Sequence, residues 1–248
     1  MKPDILYLLR DRESKWNDGE LRFSLRSLKN FPHGRVFIAS GRRPEWLTGV
    51  EFVDAADSYE NKLANAVFKI RTACRDPRIS EKFVLMNDDF FFLRGTPKLE
   101  PYTLITKGKS ETLAAMEEEH ATKAGYYFAA TTRTRRLLQD AGITRPLSYE
   151  MHYPIELEKE KFLAATDTLD WEEHGYLFRS VYGNTYGLPS RPRADFKTFT
   201  TDALERKTEF LSISDKVALF ARFQKFIFER FPEPSPYELP ESAPAILP

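Results

Sequence analysis

Short apolar runs alternate with segments of helical spacing along the first half of this 248-residue chain. The runs lie at residues 5–9, 35–40, 50–53 and 82–86, and polar residues, Gly or Pro bound each of them. Strands that helices cover on both faces carry continuous apolar runs of this kind. The pattern therefore predicts an α/β fold with a mixed, mainly parallel sheet flanked by helices.

Capping signals mark where two helices of this half are expected to begin. Asn17 and Glu20 have the spacing of a capping box in front of a leucine stripe. Ser58 is expected to cap the second helix. Asp76-Pro77 is expected to end it, because the residue before a proline avoids helical backbone.

The second half of the chain is predicted to be more helical. A loop is expected over residues 183–193, which are rich in Gly, Pro and Arg. Ser212 and Asp215 resemble the capping box of an amphipathic helix that Phe231-Pro232 ends. The other predicted helices are at residues 110–122, 129–141 and 156–165.

The charge balance and the cysteine count limit the classes to which the protein can belong. Lys plus Arg and Asp plus Glu both number 37, so the charge balance does not demand a polyanionic partner, although it allows nucleic acid. Cys74 is the single cysteine, which excludes a disulfide scaffold and a cysteine metal cluster. The apolar run at residues 5–9 is too short for a signal or membrane segment, so a cytoplasmic protein is expected.

The sharpest chemical feature is Asn87-Asp88-Asp89, which directly follows the apolar run at residues 82–86. Unpaired buried charge is very costly, so these carboxylates belong at the edge of the sheet, where water or a cation receives them. A regular strand would direct Asp88 and Asp89 to opposite faces, so both reach one metal only if the chain turns here. Oxygen ligands of this type suit Mg²⁺ or Mn²⁺. A plain turn or helix cap is the alternative.

Four segments in order resemble the second block of the Stealth family. The match covers about residues 4 to 93 and is specific as a combination. The segments are Asn-Asp-Gly-Glu-Leu-Arg-Phe-Ser-Leu-Arg-Ser-Leu at residues 17–28, Arg-Val-Phe-Ile at 35–38, Pro-Glu-Trp-Leu at 44–47 and Phe-Val-Leu-Met-Asn-Asp-Asp-Phe-Phe at 83–91.

Stealth proteins are sugar-phosphate transferases of capsule synthesis, related to the lysosomal-enzyme N-acetylglucosamine-1-phosphotransferase. The resemblance implies a core similar to GT-A glycosyltransferases, in which an acceptor hydroxyl attacks a nucleotide-sugar at phosphorus rather than at carbon. It also implies that Asp88 and Asp89 are metal ligands within the catalytic centre, with Asn87 beside the donor.

Beyond residue 100 the resemblance is limited to fragments. His152 lies in Glu-Met-His-Tyr-Pro, which is similar to the family's later His-Pro segment. This implies that His152 is a general base or a phosphate ligand, and histidine chemistry suits the first role. A packing histidine is the alternative.

The donor-binding candidates gather around the first strand end and two helices. The sequence departs from the family's Val-Asp-Gly strand end, because Leu-Arg-Asp-Arg stands at residues 9–12. Arg22 and Arg26, four apart on one helical face, are expected either to hold phosphate or to pair with Glu20 on a solvated face. The complete candidate set is Arg10, Asp11, Arg12, Arg22, Arg26, Asn61, Lys62, Asn65 and Asn87.

These observations predict a metal-dependent transferase with a nucleotide-diphosphate sugar as donor. The transferred group is a glycosyl or a hexose-1-phosphate unit, and the acceptor is a hydroxyl of a polysaccharide, a protein or a modified DNA base. A DNA acceptor would need a basic groove, for which residues 133–136 and 191–197 are the candidates. The alternative is a non-catalytic nucleotide- or sugar-binding module on the same fold.

The length of the chain and the lack of an obvious linker near its middle predict one main domain. One catalytic domain is expected over residues 1–232, with a nucleotide-sugar-binding half at 1–105 and a more helical acceptor half at 106–232. The C-terminal helices would form an addition to the core. A Pro-rich, extended tail is expected over residues 233–248.

Overall fold

A computed structural model describes residues 2–95, 97–106, 111–121, 125–205 and 208–240 of the chain. The strands are β1 (Asp4–Leu8), β2 (Val36–Ser40), β3 (Glu51–Asp54), β4 (Lys82–Met86), β5 (Phe90–Phe92), β6 (Tyr102–Leu104), β7 (Ile155–Glu158), β8 (Arg191–Arg193), β9 (Lys197–Thr198) and β10 (Phe210–Ile213). The helices are α1 (Gly19–Ser27), α2 (Lys62–Arg75), α3 (Leu113–His120), α4 (Tyr126–Asp140), α5 (Lys159–Asp167), α6 (Phe178–Thr185), α7 (Asp215–Ala218) and α8 (Ala221–Arg230).

The main sheet has five strands in the order β3-β2-β1-β4-β7. The first four are parallel, and β7 pairs with β4 in the antiparallel direction. Helices α2, α5 and α6 pack on one face, while α1 and the strand β5 cover the other. The predicted mixed, mainly parallel sheet flanked by helices is therefore confirmed.

Strand β1 explains why the apolar runs mark this sheet. Ile5 and Tyr7 contribute to the core on the α1 side, and Leu6 contributes to the core on the α2 side. All three side chains are fully buried, so apolar residues of this strand contribute to the core on both faces of the sheet.

A second sheet of three strands, in the order β5-β10-β9, adjoins the end of β4. Its strand β5 alternates between two cores. Phe90 and Phe92 pack toward the main sheet, and Phe91 packs with Phe223 and Ile227 of α8. The chain thus passes from one sheet to the other within the few residues that separate β4 from β5.

Both predicted helix caps in the first half are wrong. Helix α1 begins after Asn17 and Asp18, whose φ angles of 50° and 56° are left-handed, and no side chain caps it. Glu20 instead accepts a hydrogen bond of 2.6 Å from Ser14 Oγ. Helix α2 is capped by Asn61 rather than Ser58. The predicted end of α2 at Asp76-Pro77 is confirmed.

Several predictions for the second half are wrong, because tertiary contacts rather than local patterns decide the structure there. Residues 156–165 do not form one helix, because 155–158 extend the main sheet as β7 before α5 begins. The predicted loop at 183–193 is wrong at both ends, since α6 continues through Gly183 and β8 occupies the last three residues. Ser212 lies within β10, and Ser214 caps α7 instead. The helix predicted at 110–122 corresponds to α3, and residues 110 and 122 lie outside the described residues.

Residues 233–240 of the predicted tail are docked on α1. Arg26 donates to both carboxylate oxygens of Glu238, at 2.8 Å from Nε and 2.7 Å from Nη2. Arg22 Nη1 lies 3.3 Å from Glu238 Oε2. The solvent-exposed fraction of the side chain is 3% for Arg26, 1% for Glu238 and 7% for Arg22. The end of the tail at 241–248 lies outside the described residues.

In the part of the chain that the structure describes, none of the helices combines the length and the apolar character that a membrane crossing needs.

We expect Glu238→Ala to lower the free energy of unfolding by about 3–5 kcal/mol, because it leaves two buried guanidinium groups without their shared counter-charge. Urea unfolding measures this effect. The matched control is Glu229→Ala, which removes a carboxylate from an exposed pair with Lys225 and should change stability by less than about 0.5 kcal/mol. Equal losses for the two variants would contradict the role assigned to Glu238.

Candidate active site

The acidic pair lies in a turn between the two sheets. Residues 88 and 89 are turn residues, and the N–H of Phe90 donates to the carbonyl of Asn87 at 3.3 Å. The turn expected from the sequence is therefore confirmed. It follows β4 at the carboxyl edge of the main sheet, next to the end of β1, which pairs with β4 up to Tyr7 and Met86. Open α/β sheets bind ligands at this edge.

Asp88 is a recessed carboxylate without a hydrogen-bonding partner among the described residues. Burial raises its pKa to about 8, and the charges of Asp89 and Glu20 add to this effect. The positive charge of Arg10 has the opposite effect on the Asp88 pKa. Part of the surface of Asp88 is still accessible, so a ligand has access to it.

Asp89 is held by the second sheet. Its Oδ2 accepts hydrogen bonds from Lys197 Nζ and from Ser212 Oγ, both at 3.1 Å. The strand registers explain the arrangement, because Ser212 pairs with Lys197 on one side and with Phe90 on the other. From the sequence, Lys197 is a candidate only for a basic groove and Ser212 only for a helix cap. Their contacts with Asp89 were not predicted, because both residues are more than 100 positions from Asp89 along the chain.

Two further carboxylates surround Asp88. Glu20 is buried on α1, and its pKa is raised by burial and by the charges of Asp215 and Asp18. Asp215, at the start of α7, also raises the pKa of Asp88. The site therefore concentrates negative charge that a cation would relieve.

His152 is oriented by Asp195. Its Nδ1 lies 2.6 Å from Asp195 Oδ2, and its backbone N–H donates to Oδ1 at 3.1 Å. Burial opposes ionisation of Asp195, but the hydrogen bond and charge of His152 outweigh it, so the Asp195 pKa is lowered. The carboxylate thus directs the other ring nitrogen, Nε2, away from itself. About a third of the His152 side chain is exposed, at 35%.

Arg179 fixes the loop that carries His152. It is buried on α6, and its Nη1 donates to the carbonyls on either side of the histidine, Met151 at 3.2 Å and Tyr153 at 2.6 Å. Its charge also interacts with Glu150, Asp195 and Asp89. These interactions place the histidine and the acidic pair in one electrostatic environment.

The strand β9 links these two parts directly. Asp195 Oδ1 accepts a long hydrogen bond of 3.4 Å from the backbone N–H of Lys197, whose side chain reaches Asp89. No pattern in the sequence distinguished Asp195, which lies in an Arg-rich loop. Contacts through Asp195 and Lys197 therefore link His152 to Asp89. A shared catalytic role for Asp88, Asp89 and His152 stays a prediction.

The first strand-end loop contributes less than expected. Arg10 and Arg12 are exposed there, and Arg10 acts on Asp88. Asp11 instead ties neighbouring loops together, because it accepts hydrogen bonds from Gly41 N at 2.8 Å and Asp57 N at 2.7 Å. Burial raises its pKa, but these hydrogen bonds outweigh that effect and lower it.

Most of the donor-binding candidates on α1 and α2 have structural partners. Arg22 and Arg26 bind the buried carboxylate of Glu238. Both predictions for these arginines are therefore wrong: they are not free to hold phosphate, and they do not pair with Glu20 on a solvated face. The Asn61 side chain caps α2, and Asn65 Oδ1 accepts the N–H of Tyr59 at 2.8 Å.

Two other donor-binding candidates remain near exposed surface. Lys62 is exposed, and its Nζ lies 5.8 Å from the centre of the Tyr126 ring. Asn87 lies beside the acidic pair and is partly exposed. The backbone carbonyl of Asn87 accepts the hydrogen bond from the Phe90 N–H that closes the turn.

Another carboxylate and histidine group lies between α5 and α6. Asp170, Glu173 and His174 are exposed, and their potential ligand atoms lie within 4.8 Å of one another. His174 and Asp170 already pair with each other at 3.5 Å. Exposed acidic groups of this kind are common without a metal, so the group is not included in the site.

The acidic pair is where the sequence predicts a hard divalent cation. Asp88 is recessed and has no hydrogen-bonding partner among the described residues, and Asp89 adjoins it with only Oδ2 engaged by Lys197 and Ser212. Carboxylate oxygens are the ligands that Mg²⁺ and Mn²⁺ prefer. Asp88 and Asp89 would hold such an ion.

Neither the comparison with protein-family models nor the search of curated proteins finds a match for this chain. The resemblance to the Stealth family therefore stays a prediction from the residues quoted above.

The raised pKa of Asp88 makes stability depend on pH. Between the ordinary value of 3.8 and about 8, the folded protein binds more protons than the unfolded chain, so this group lowers stability as pH rises. Without divalent cations, we expect the stability of Asp88→Asn relative to wild type to increase by roughly 1–3 kcal/mol between about pH 5 and about pH 9. Urea unfolding in the presence of a chelator measures the free energy of unfolding of both proteins at each pH. A stability difference between variant and wild type that does not change with pH would contradict the raised pKa of Asp88.

Proposed function

We propose that this protein is a divalent-metal-dependent transferase that uses a nucleotide-diphosphate sugar as donor. It transfers a glycosyl or hexose-1-phosphate group to a hydroxyl of a polymer acceptor, on a GT-A-like core. The observation that carries this proposal is the Asp88 carboxylate, which is recessed among other acids, has a pKa raised to about 8 and hydrogen-bonds to none of the described residues. A cation would stabilise the ionised form of such a group. A diphosphate donor is a substrate class that brings phosphate oxygens to a carboxylate-bound cation.

The second support is the chain of contacts through Asp195 and Lys197 that links His152 to this acidic centre. His152 Nε2 accepts the proton of the acceptor hydroxyl while the oxygen attacks the donor. Asp195 keeps the proton on Nδ1 and stabilises the imidazolium that forms. Arg179 keeps the loop in place through the two flanking carbonyls.

The positive groups of the site suit the diphosphate. Arg10 lies near Asp88, and Lys197 lies on Asp89, so both are available to phosphate oxygens at the sheet edge. A bound Mg²⁺ or Mn²⁺ would neutralise charge that develops on the leaving phosphate.

The surface favours an acceptor other than DNA. Of the basic residues that could form a groove, Arg135 pairs with Glu117, and Arg191 pairs with Glu100 at 2.6 Å. These carboxylates weaken the positive field that a duplex requires. A hydroxyl on a saccharide or a protein is therefore the preferred acceptor.

Two observations favour the non-catalytic alternative. Asp11, at the first strand end, serves to connect loops, and Asp89 already has an internal counter-ion in Lys197. A module that binds a nucleotide or sugar without turnover would keep both features. Turnover of a donor decides between the two functions.

With Mn²⁺ and a panel of nucleotide-sugars, we expect the purified protein to turn over one donor. Asp88→Asn and Asp89→Asn should each lower the rate by about 100-fold or more, because each removes a ligand of the cation that stabilises developing charge. Asp140→Asn, an equal charge change at the exposed end of α4, is the matched control and should retain the wild-type rate. Chromatography of the nucleotide products measures the rate.

The same products identify the transferred group. A nucleoside monophosphate indicates hexose-1-phosphate transfer, and a nucleoside diphosphate indicates glycosyl transfer. Intact donor with every nucleotide-sugar, together with measurable binding of one of them, would support the non-catalytic module instead.

Asp195 is a positioning residue, so its loss should affect turnover more than donor binding. We expect Asp195→Asn to lower kcat by about 100-fold while the donor KM changes less than about threefold. Asp195→Glu should restore part of the loss, and the pH profile of kcat should shift in Asp195→Asn. A change in KM alone would contradict the role of His152 as the base.

A further inference from the structure

Lys197 and Ser212 both engage Oδ2 of Asp89, on which the proposed function depends. The ammonium lies 3.1 Å from Oδ2, and the hydroxyl of Ser212 donates to the same oxygen at 3.1 Å. The solvent-exposed fraction of the side chain is 18% for Lys197 and 14% for Asp89. This ion pair is therefore largely shielded from water, and screening by solvent is weak.

A divalent cation and the lysine ammonium oppose each other at Asp89. Both are attracted to the same carboxylate, and they repel one another at contact distance. Binding of the divalent ion alone therefore requires either that the ammonium withdraw or that the two charges share one carboxylate. Ser212 contacts the same oxygen without any charge and adds no such repulsion.

The side chain of Lys197 can leave while its backbone stays. The strand pairing with Ser212 fixes the main chain, and the backbone N–H donates to Asp195. Beyond this anchor, lysine has a flexible four-carbon stem and a compact charge that binds phosphate well. A diphosphate at the sheet edge would give the ammonium a new partner.

We propose that Lys197 is an internal competitor of the divalent cation at Asp89, and that donor diphosphate relieves the competition by binding the ammonium. This proposal rests on the proposed function. Metal and donor then bind together rather than independently. By linkage, the metal tightens the binding of the diphosphate by the same factor by which the diphosphate tightens that of the metal.

The alternative at the same residues is that Lys197 takes the place of the metal. In that case the ammonium would be the permanent counter-ion of Asp89 and would itself bind the donor. The two hypotheses differ in the expected effect of removing the Lys197 charge. The affinity for the metal increases only if Lys197 competes with the metal for Asp89.

The test is the affinity for Mn²⁺ in the absence of nucleotide, measured by electron paramagnetic resonance on the full chain. We expect Lys197→Met, which keeps the length and removes the charge, to bind Mn²⁺ about tenfold more tightly than wild type. Ser212→Ala is the matched control, because it removes the other partner of Oδ2 without a charge, and its affinity should stay within about twofold of wild type. Asp89→Asn locates the site and should abolish binding. Circular dichroism confirms that each variant is folded.

A second measurement tests the release of the ammonium. With Mn²⁺ at saturation, calorimetry with UDP, GDP, CDP and ADP identifies the nucleotide that the wild type binds. Lys197→Met should bind that nucleotide about tenfold more weakly, because the diphosphate loses its ammonium partner.

The outcomes separate the two proposals. If Asp89→Asn abolishes Mn²⁺ binding but Lys197→Met leaves it unchanged or weaker, the competition is disproved and the proposed function stands. Nucleotide affinity that is unaffected in Lys197→Met would likewise disprove the release of the ammonium. If the wild type and Lys197→Met both fail to bind Mn²⁺, or Asp89→Asn binds it normally, the metal site is disproved, and the proposed function with it.

Discussion

The desolvation of two adjacent carboxylates at the end of a buried strand is the constraint on which the site depends. Strand β4 is buried between two layers, and the chain must leave it through a turn that exposes Asp88 and Asp89 toward the edge of the sheet. Ionising Asp88 there is unfavourable, as its raised pKa shows. The charge of Arg10 favours the ionised form of Asp88, and Lys197 forms an ion pair with Asp89. In the proposed function a metal ion adds a further positive charge.

The second sheet makes this arrangement possible. Because β5 follows the acidic turn at once and pairs with β10, the residues opposite the turn come from the far end of the chain. Ser212 and Lys197 are brought to Asp89 in this way, and Asp195 of the same region reaches His152. The acidic pair and the histidine dyad thus share one short structural element, so a change at β9 would affect both.

Helix α1 is placed by charge as much as by apolar packing. Its buried Arg22 and Arg26 find their counter-charge in Glu238, from a segment that also bonds to the backbone of residues 46–48. The same helix brings Glu20 near Asp88. The docked C-terminal segment therefore supports one wall of the candidate site, although none of its residues takes part in the proposed chemistry.

The sequence by itself determined the α/β layering, the turn after β4 and the prominence of Asp88, Asp89 and His152, because apolar periodicity and local charge are properties of neighbouring residues. Only the tertiary structure decided the partners. Arg22 and Arg26 have the spacing of phosphate ligands, but their partner is Glu238, more than 200 residues away along the chain. No local pattern indicates that Asp195 contacts His152 or that Lys197 contacts Asp89. Asn61 likewise caps α2, and Asn65 binds the backbone of Tyr59 in the loop before that helix. The physical reason is that hydrogen bonds and ion pairs depend on distances in space, whereas the sequence pattern specifies only which faces of each element are buried.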